Sequence, residues 1–144
     1  MEWQYDDGGR EAAGYKGKAG DCVTRAVAIA AGLPYAEVYD KLAGETGAQR
    51  ASKRTKKRSA SARNGINTKR KWFNDYMTSL GFNWFPTMTI GSGCKVHLRS
   101  DELPKGRLVV SVSGHMVAVI DGVIHDTFDP SRDGTRCVYG YYQK

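Results

Sequence analysis

Hydrophobic positions divide the chain into two halves with different periods. In the first half they recur at helical spacing. Val23, Val27 and Ala30, with Ala26 beside them, form one small-residue apolar face over Cys22–Ala31. Asp21 stands where an N-cap is wanted, and Gly32 where a helix stops. Pro34 then opens a second predicted helix over about 34–43, with Tyr35, Val38, Tyr39 and Leu42 on one face. A third helix is predicted over about 68–80, carrying Trp72, Phe73, Tyr76, Met77 and Leu80, with Gly81 as its stop. Between the second and third helices, Gly44–Ile66 has almost no large apolar residue, contributes no core face, and is predicted to be a mobile loop.

After Gly81 the pattern shortens to strands. Asn83–Ile90, interrupted by Pro86, suits an edge strand or a bend. Arg107–Val112 is a strong buried strand. Met116–Ile120 and Val123–Phe128 flank Asp121-Gly122, the clearest hairpin signal in the chain and one that favours a type I′ turn. A last strand, Thr135–Tyr142, closes the sheet. Residues 1–19 show little periodicity and read as an irregular arm. Helices first and an antiparallel sheet second predict an α+β fold. At 144 residues one domain is expected, able to bury a core without staples.

Charge changes the picture in one place. Arg50 to Lys71 holds ten Lys/Arg and no acid, leaving 12 basic and 15 acidic residues elsewhere. Most simply this is a solvated loop. Its functional reading is a contact to a phosphate backbone or to an acidic protein partner, without base stacking before Trp72. Three cysteines, at positions 22, 94 and 137, allow at most one bridge and leave a free thiol. That usage predicts a reducing, cytosolic compartment, with Cys94 and Cys137 as buried structural thiols. No leader-like opening and no run of membrane-spanning length occur, so no membrane partner is expected.

The candidate chemistry centres on Cys22. A thiol at a helix start meets the positive end of the dipole and unpaired N–H groups, both of which favour the thiolate. A cysteine there is otherwise most often a small buried residue. Few bases are available: His97, His115 and His125. A two-residue turn at Asp121-Gly122 pairs Val117 with Asp126 and His115 with Phe128. Asp126 therefore lies diagonally from His115 on one face, while His125 points to the other. Asp129, just past the hairpin end, competes as the group that orients the imidazole. Cys22, His115 and Asp126 are the candidate catalytic residues. Cys94, His97, Cys137 and His125 have weak zinc-ligand spacing, and no metal or cofactor is expected.

These residues carry a resemblance. A helix-leading Cys22 followed by His115 and Asp126 on adjacent strands is similar to papain-like cysteine peptidases. Asp126-Thr127-Phe128 resembles that superfamily's Asn/Asp–small–aromatic run, in which the aromatic shields the histidine bond. His115 with Asp129-Pro130 also resembles leader-peptide-cleaving peptidases of bacteriocin exporters. Gly20-Asp21-Cys22-Val23-Thr24-Arg25-Ala26 resembles the cysteine loop of ovarian-tumour-type deubiquitinases, with Ala19 where those enzymes often carry an Asp. The broadest likeness is to small uncharacterised phage and prophage proteins, through Ala19-Gly20-Asp21-Cys22, the run from Ile90 to Leu98, and Ala118 to Asp126.

The resemblance implies a papain-like fold and a cysteine hydrolase that cuts a peptide or isopeptide bond in a host or viral protein, in the host cytoplasm. It also exposes a departure: Lys16 stands where papain-like enzymes commonly place an oxyanion-hole Gln. Gln4, Lys16 and Lys18 are the alternatives, beside the Cys22 backbone N–H. A binding protein using Arg50–Lys71 without catalysis is the competing reading.

Overall fold

A computed structural model describes residues 1–15, 20–48, 66–89 and 91–144. Its elements in order are β1 (Glu2–Tyr5), α1 (Cys22–Ala31), α2 (Tyr35–Ala48), α3 (Lys71–Ser79), β2 (Asn83–Pro86), β3 (Arg107–Val112), β4 (His115–Ile120), β5 (Val123–Asp126) and β6 (Val138–Gln143). The class is α+β. The strands form one sheet in the order β1-β5-β4-β3-β6-β2.

Alternation in β3 and β4 explains why helices cover one side of this sheet. Val109, Met116, Ala118 and Tyr142 project toward the apolar stripe of α1, Val38 and Leu42 of α2, and Phe73 and Met77 of α3. The opposite set, Leu108, Val110, Val112, Val117, Val119 and Ile124, packs against Leu98 and Leu103 from the connection before β3. Both faces are therefore buried, and β3 and β4 read as nearly continuous apolar runs. Phe73, Phe82, Leu42 and Met77 are the largest fully buried side chains on the helical side.

The hairpin forms as its turn residues dictate. Asp121 and Gly122 both have positive φ, 48° and 81°, as a type I′ turn requires. The resulting register pairs Ile120 with Val123 and Ala118 with His125. Helix α1 spans the predicted residues, and Gly32 closes it in the left-handed conformation at φ 69°.

Several expectations need correction. The sheet is mixed rather than antiparallel, because Glu2–Tyr5 leaves the supposed irregular arm and pairs parallel to β5. Helix α2 continues to Ala48, since Thr46 is buried on the same face as Leu42. Residues 49–65 of the predicted loop lie outside the described residues. Asp21 occupies the N-cap position without a side-chain capping bond; its carboxylate is used elsewhere. Cys94 and Cys137 are bonded to each other, with Cα atoms 5.8 Å apart, and Cys94 is exposed rather than buried. A disulfide belongs to oxidising surroundings, so cysteine usage no longer supports a reducing compartment. No described helix is long and apolar enough to cross a membrane.

Candidate active site

Helix α1 and the β4–β5 hairpin each deliver one half of the site. Cys22 begins α1, so its own N–H is among those a helix start leaves without an intrahelical partner. His115 begins β4 immediately after the Ser113-Gly114 turn, and Asp126 ends β5. The register brings the last two together as expected: His115 Nε2 lies 2.7 Å from Asp126 Oδ2, with both side chains at least nine-tenths buried. With Nε2 engaged by the carboxylate, Nδ1 is the ring nitrogen left for the thiol. Cys22 and His115 hydrogen-bond to each other.

The electrostatics favour an ion pair. Burial pushes the Cys22 thiol up, but the hydrogen bond and charge of His115, the Met116 N–H and the Arg25 guanidinium outweigh it and bring it below the ordinary thiol value. Burial alone lowers the imidazole. The hydrogen bonds of Asp126 and Cys22, with their charges, overcome it and raise His115 from 6.5 to about 9. Both shifts run in the direction that favours thiolate and imidazolium over the neutral couple, the form a cysteine nucleophile attacks from.

Asp126 is held by more than the histidine. Its Oδ1 accepts the Thr127 N–H at 2.7 Å and lies 3.5 Å from the Arg25 guanidinium. Its backbone carbonyl accepts the Trp3 indole N–H at 3.1 Å and the Asp6 N–H at 3.0 Å. The N-terminal strand thus pins the residue that orients the imidazole. Asp129 does not compete, because its Oδ1 accepts the Ser131 N–H at 2.9 Å in a local turn. The Phe128 ring lies beside the histidine, with ring centroids 5.1 Å apart and planes tilted by 43°.

One buried network joins the two halves. Asp21, directly before the nucleophile, receives the Arg25 guanidinium and the Tyr35 hydroxyl, and lies 3.1 Å from Arg10. Arg25 also reaches Asp126. A single guanidinium therefore touches the residue beside the thiol and the carboxylate behind the imidazole. Burial, followed by the hydrogen bond and charge of Asp21, raises the Tyr35 phenol well above its ordinary value, keeping it a proton donor. Gly8 makes the close approach of the arm possible: at φ 71° its Cα faces the Arg25 backbone, which an added Cβ would meet at 3.2 Å. The sequence presents Arg25 only within the Gly20–Ala26 cysteine loop, and neither Arg10 nor Tyr35 is marked in it as a partner of Asp21. The Gly8-Gly9 pair and the aromatics of the arm were the available signals.

No family model, curated protein or solved structure matches the chain. The remaining candidates fall as follows. Gln4 is fixed in β1 opposite His125, while Lys16 and Lys18 lie outside the described residues. His125 Nδ1 faces Asp6 at 3.7 Å. His97 Nδ1 is 3.2 Å from Glu102. With Cys94 and Cys137 bonded to each other, the weak zinc pattern loses its thiolates, and no metal-ligand cluster occurs among the described residues.

Proposed function

We propose that the protein is a cysteine-dependent hydrolase of papain-like design, in which Cys22 is the nucleophile, His115 the general base and acid, and Asp126 its orienting carboxylate. The observation that carries this reading is the His115 imidazole bonded on one side to a buried carboxylate and on the other to a helix-leading thiol of lowered pKa.

The chemistry follows from those positions. The Cys22 thiolate adds to a carbonyl carbon of a peptide or isopeptide bond, and the electron pair moves to oxygen. The Cys22 backbone N–H serves as one donor to that oxyanion in this reading. Collapse expels the amine, which takes its proton from the His115 imidazolium, and leaves a thioester. His115, now neutral, removes a proton from water as the water attacks the thioester. The acid leaves and the thiolate–imidazolium pair is restored. Likeness of three stretches to phage and prophage proteins supports a phage-encoded enzyme acting on a host or viral protein.

The test exploits the disulfide. In the absence of reductant Cys22 is the sole free thiol. Iodoacetamide should modify the native protein once, at Cys22, at a rate well above that of an ordinary thiol at pH 7, and Cys22→Ala should abolish the reaction while leaving the fold intact. Modification no faster than that of a free model thiol would favour the competing reading, a non-catalytic protein that holds nucleic acid or an acidic host factor through Arg50–Lys71. That reading predicts lost binding on deletion of residues 50–63.

A further inference from the structure

A cavity of about 620 Å³ opens on the helical side of the sheet, between the start of α3 and strands β2 and β6. Its volume is in the range of ligand-binding sites rather than of packing defects. Met116 connects it to the candidate nucleophile. The Met116 N–H bonds Cys22, and the same residue lines the cavity. The thiol and the cavity therefore share Met116 as a neighbour.

The walls are aromatic and the rim is cationic. Trp84 and Tyr142 face each other from paired positions on β2 and β6, with centroids 4.9 Å apart. The Trp84 indole packs on Gly140, where an added Cβ would sit 2.4 Å from the ring. That glycine is thus a condition of the wall. Trp84 remains 39 % exposed, a large apolar surface left open to a partner. Lys69, Arg70 and Lys71 line the cavity, and no carboxylate lines it among the described residues. Lys71 shares its charge with Asp75 at 2.8 Å, leaving exposed Lys69 as the more available cation. In sequence this rim ends a run of ten Lys/Arg without an acid.

We propose that this cavity selects the substrate, and that it takes a peptide segment with a bulky apolar side chain flanked by acidic residues. The inference rests on the hydrolase reading and names its substrate class. Apolar walls next to a mouth of one sign reward an apolar anchor with charges of the opposite sign on either side. A concave volume with its two rings turned on each other fits one inserted side chain. It does not provide the open succession of faces that stacks bases of a single strand.

The experiment measures fluorescence anisotropy of fluorescein-labelled Gly-Glu-Glu-Phe-Glu-Gly on the Cys22→Ala protein, which cannot turn it over. It should bind at least tenfold more tightly than the same peptide with lysines for glutamates, and at least tenfold more tightly than the peptide with alanine for phenylalanine. Trp84→Ala and Gly140→Ala should each weaken it about tenfold, Trp84→Phe much less, and Lys69→Glu should narrow or reverse the charge preference. Equal binding of the acidic and basic peptides overturns the proposal, as does indifference to both Trp84→Ala and Gly140→Ala in variants that retain the wild-type melting profile. Absence of binding by any peptide also overturns it, and so does displacement of the peptide by a tighter-binding single-stranded oligonucleotide. Iodoacetamide labelling of Cys22 in the unmodified protein keeps the two readings apart: slow labelling defeats the nucleophile, and indiscriminate binding defeats the cavity.

Discussion

Replacing Asp126 by Asn keeps the size of the side chain and removes its charge, which isolates what the carboxylate does. In the native site His115 is raised from 6.5 to about 9 although burial opposes it. That rise corresponds to about 3 kcal/mol of preference for imidazolium at ~1.4 kcal/mol per pH unit. Asp126 and Cys22 share it, so Asp126→Asn should forfeit the carboxylate's part. An asparagine amide can also donate to Nε2 and thereby favour the tautomer with its proton on Nδ1, the nitrogen left for the thiol. Both effects destabilise the thiolate. The rate of Cys22 alkylation by iodoacetamide, followed from pH 5 to 9 without reductant, should show its thiolate midpoint moving up toward the ordinary thiol value of about 8.5. At pH 7 the rate should fall at least several-fold, because the thiolate loses the imidazolium that the carboxylate supports.

Stability follows the same group with a definite sign. His115 has a folded pKa above its unfolded value, so its contribution is complete below pH 6.5 and is lost as pH rises through about 9. In a Cys22→Ala background, where only the Asp126 share remains, the unfolding free energy should decline by roughly 1–2 kcal/mol across that window. The decline should vanish when Asp126→Asn is added. An unshifted alkylation midpoint in Asp126→Asn, or the same pH slope with and without the carboxylate, would refute the pairing as the source of reactivity.

Three further perturbations probe what holds the site. Arg25→Met leaves Asp21 and Asp126 buried with one cation fewer, and should cost about 3 kcal/mol in urea unfolding; a loss below about 1 kcal/mol would show the network to be incidental. Deleting residues 1–5 removes the Trp3 bond to the Asp126 carbonyl and the whole of β1. It should cost about 2 kcal/mol and slow Cys22 alkylation several-fold, whereas unchanged alkylation would free Asp126 from dependence on the arm. Converting Cys94 and Cys137 to Ser opens a closure spanning 43 positions and should lower stability by ~2–4 kcal/mol in denaturant titrations, with Cys22 reactivity at pH 7 unchanged within twofold.

How much of this was legible in the sequence depended on whether one local rule decided the outcome. The hairpin was fully legible: a two-residue Asp121-Gly122 turn admits one register, and that register alone brings Asp126 to His115. Helix α1 was legible because its apolar period and Gly32 agree. The arm was not, since a four-residue parallel edge strand, exposed throughout, shows no periodicity and is specified by β5 rather than by its own residues. Asp21 misled for a related reason. An aspartate before a helix is ordinarily a cap, but here three partners distant in sequence or a turn away outbid the helix N–H groups. The Cys94–Cys137 bridge joins the connection before β3 to the entrance of β6, a proximity that only the assembled sheet creates.

The buried network explains why the two halves of the site act as one. A helix start and a strand start, brought together only by packing, can slide by an ångström without losing much apolar contact, and such a shift disables a nucleophile. Arg25 removes that freedom, because it cannot reach both Asp21 and Asp126 unless the helix start and the hairpin end keep their spacing. The arm adds the third constraint: Trp3 and Asp6 fix the Asp126 backbone from the far side, and Gly8 lets the chain pass directly over Arg25. The charges that fix this spacing also set the chemistry. The carboxylate that anchors Arg25 supports the imidazolium, and the guanidinium that anchors α1 helps to hold the thiolate. Positioning and pKa tuning therefore share the same side chains, so a variant that loosens one should disturb the other in proportion.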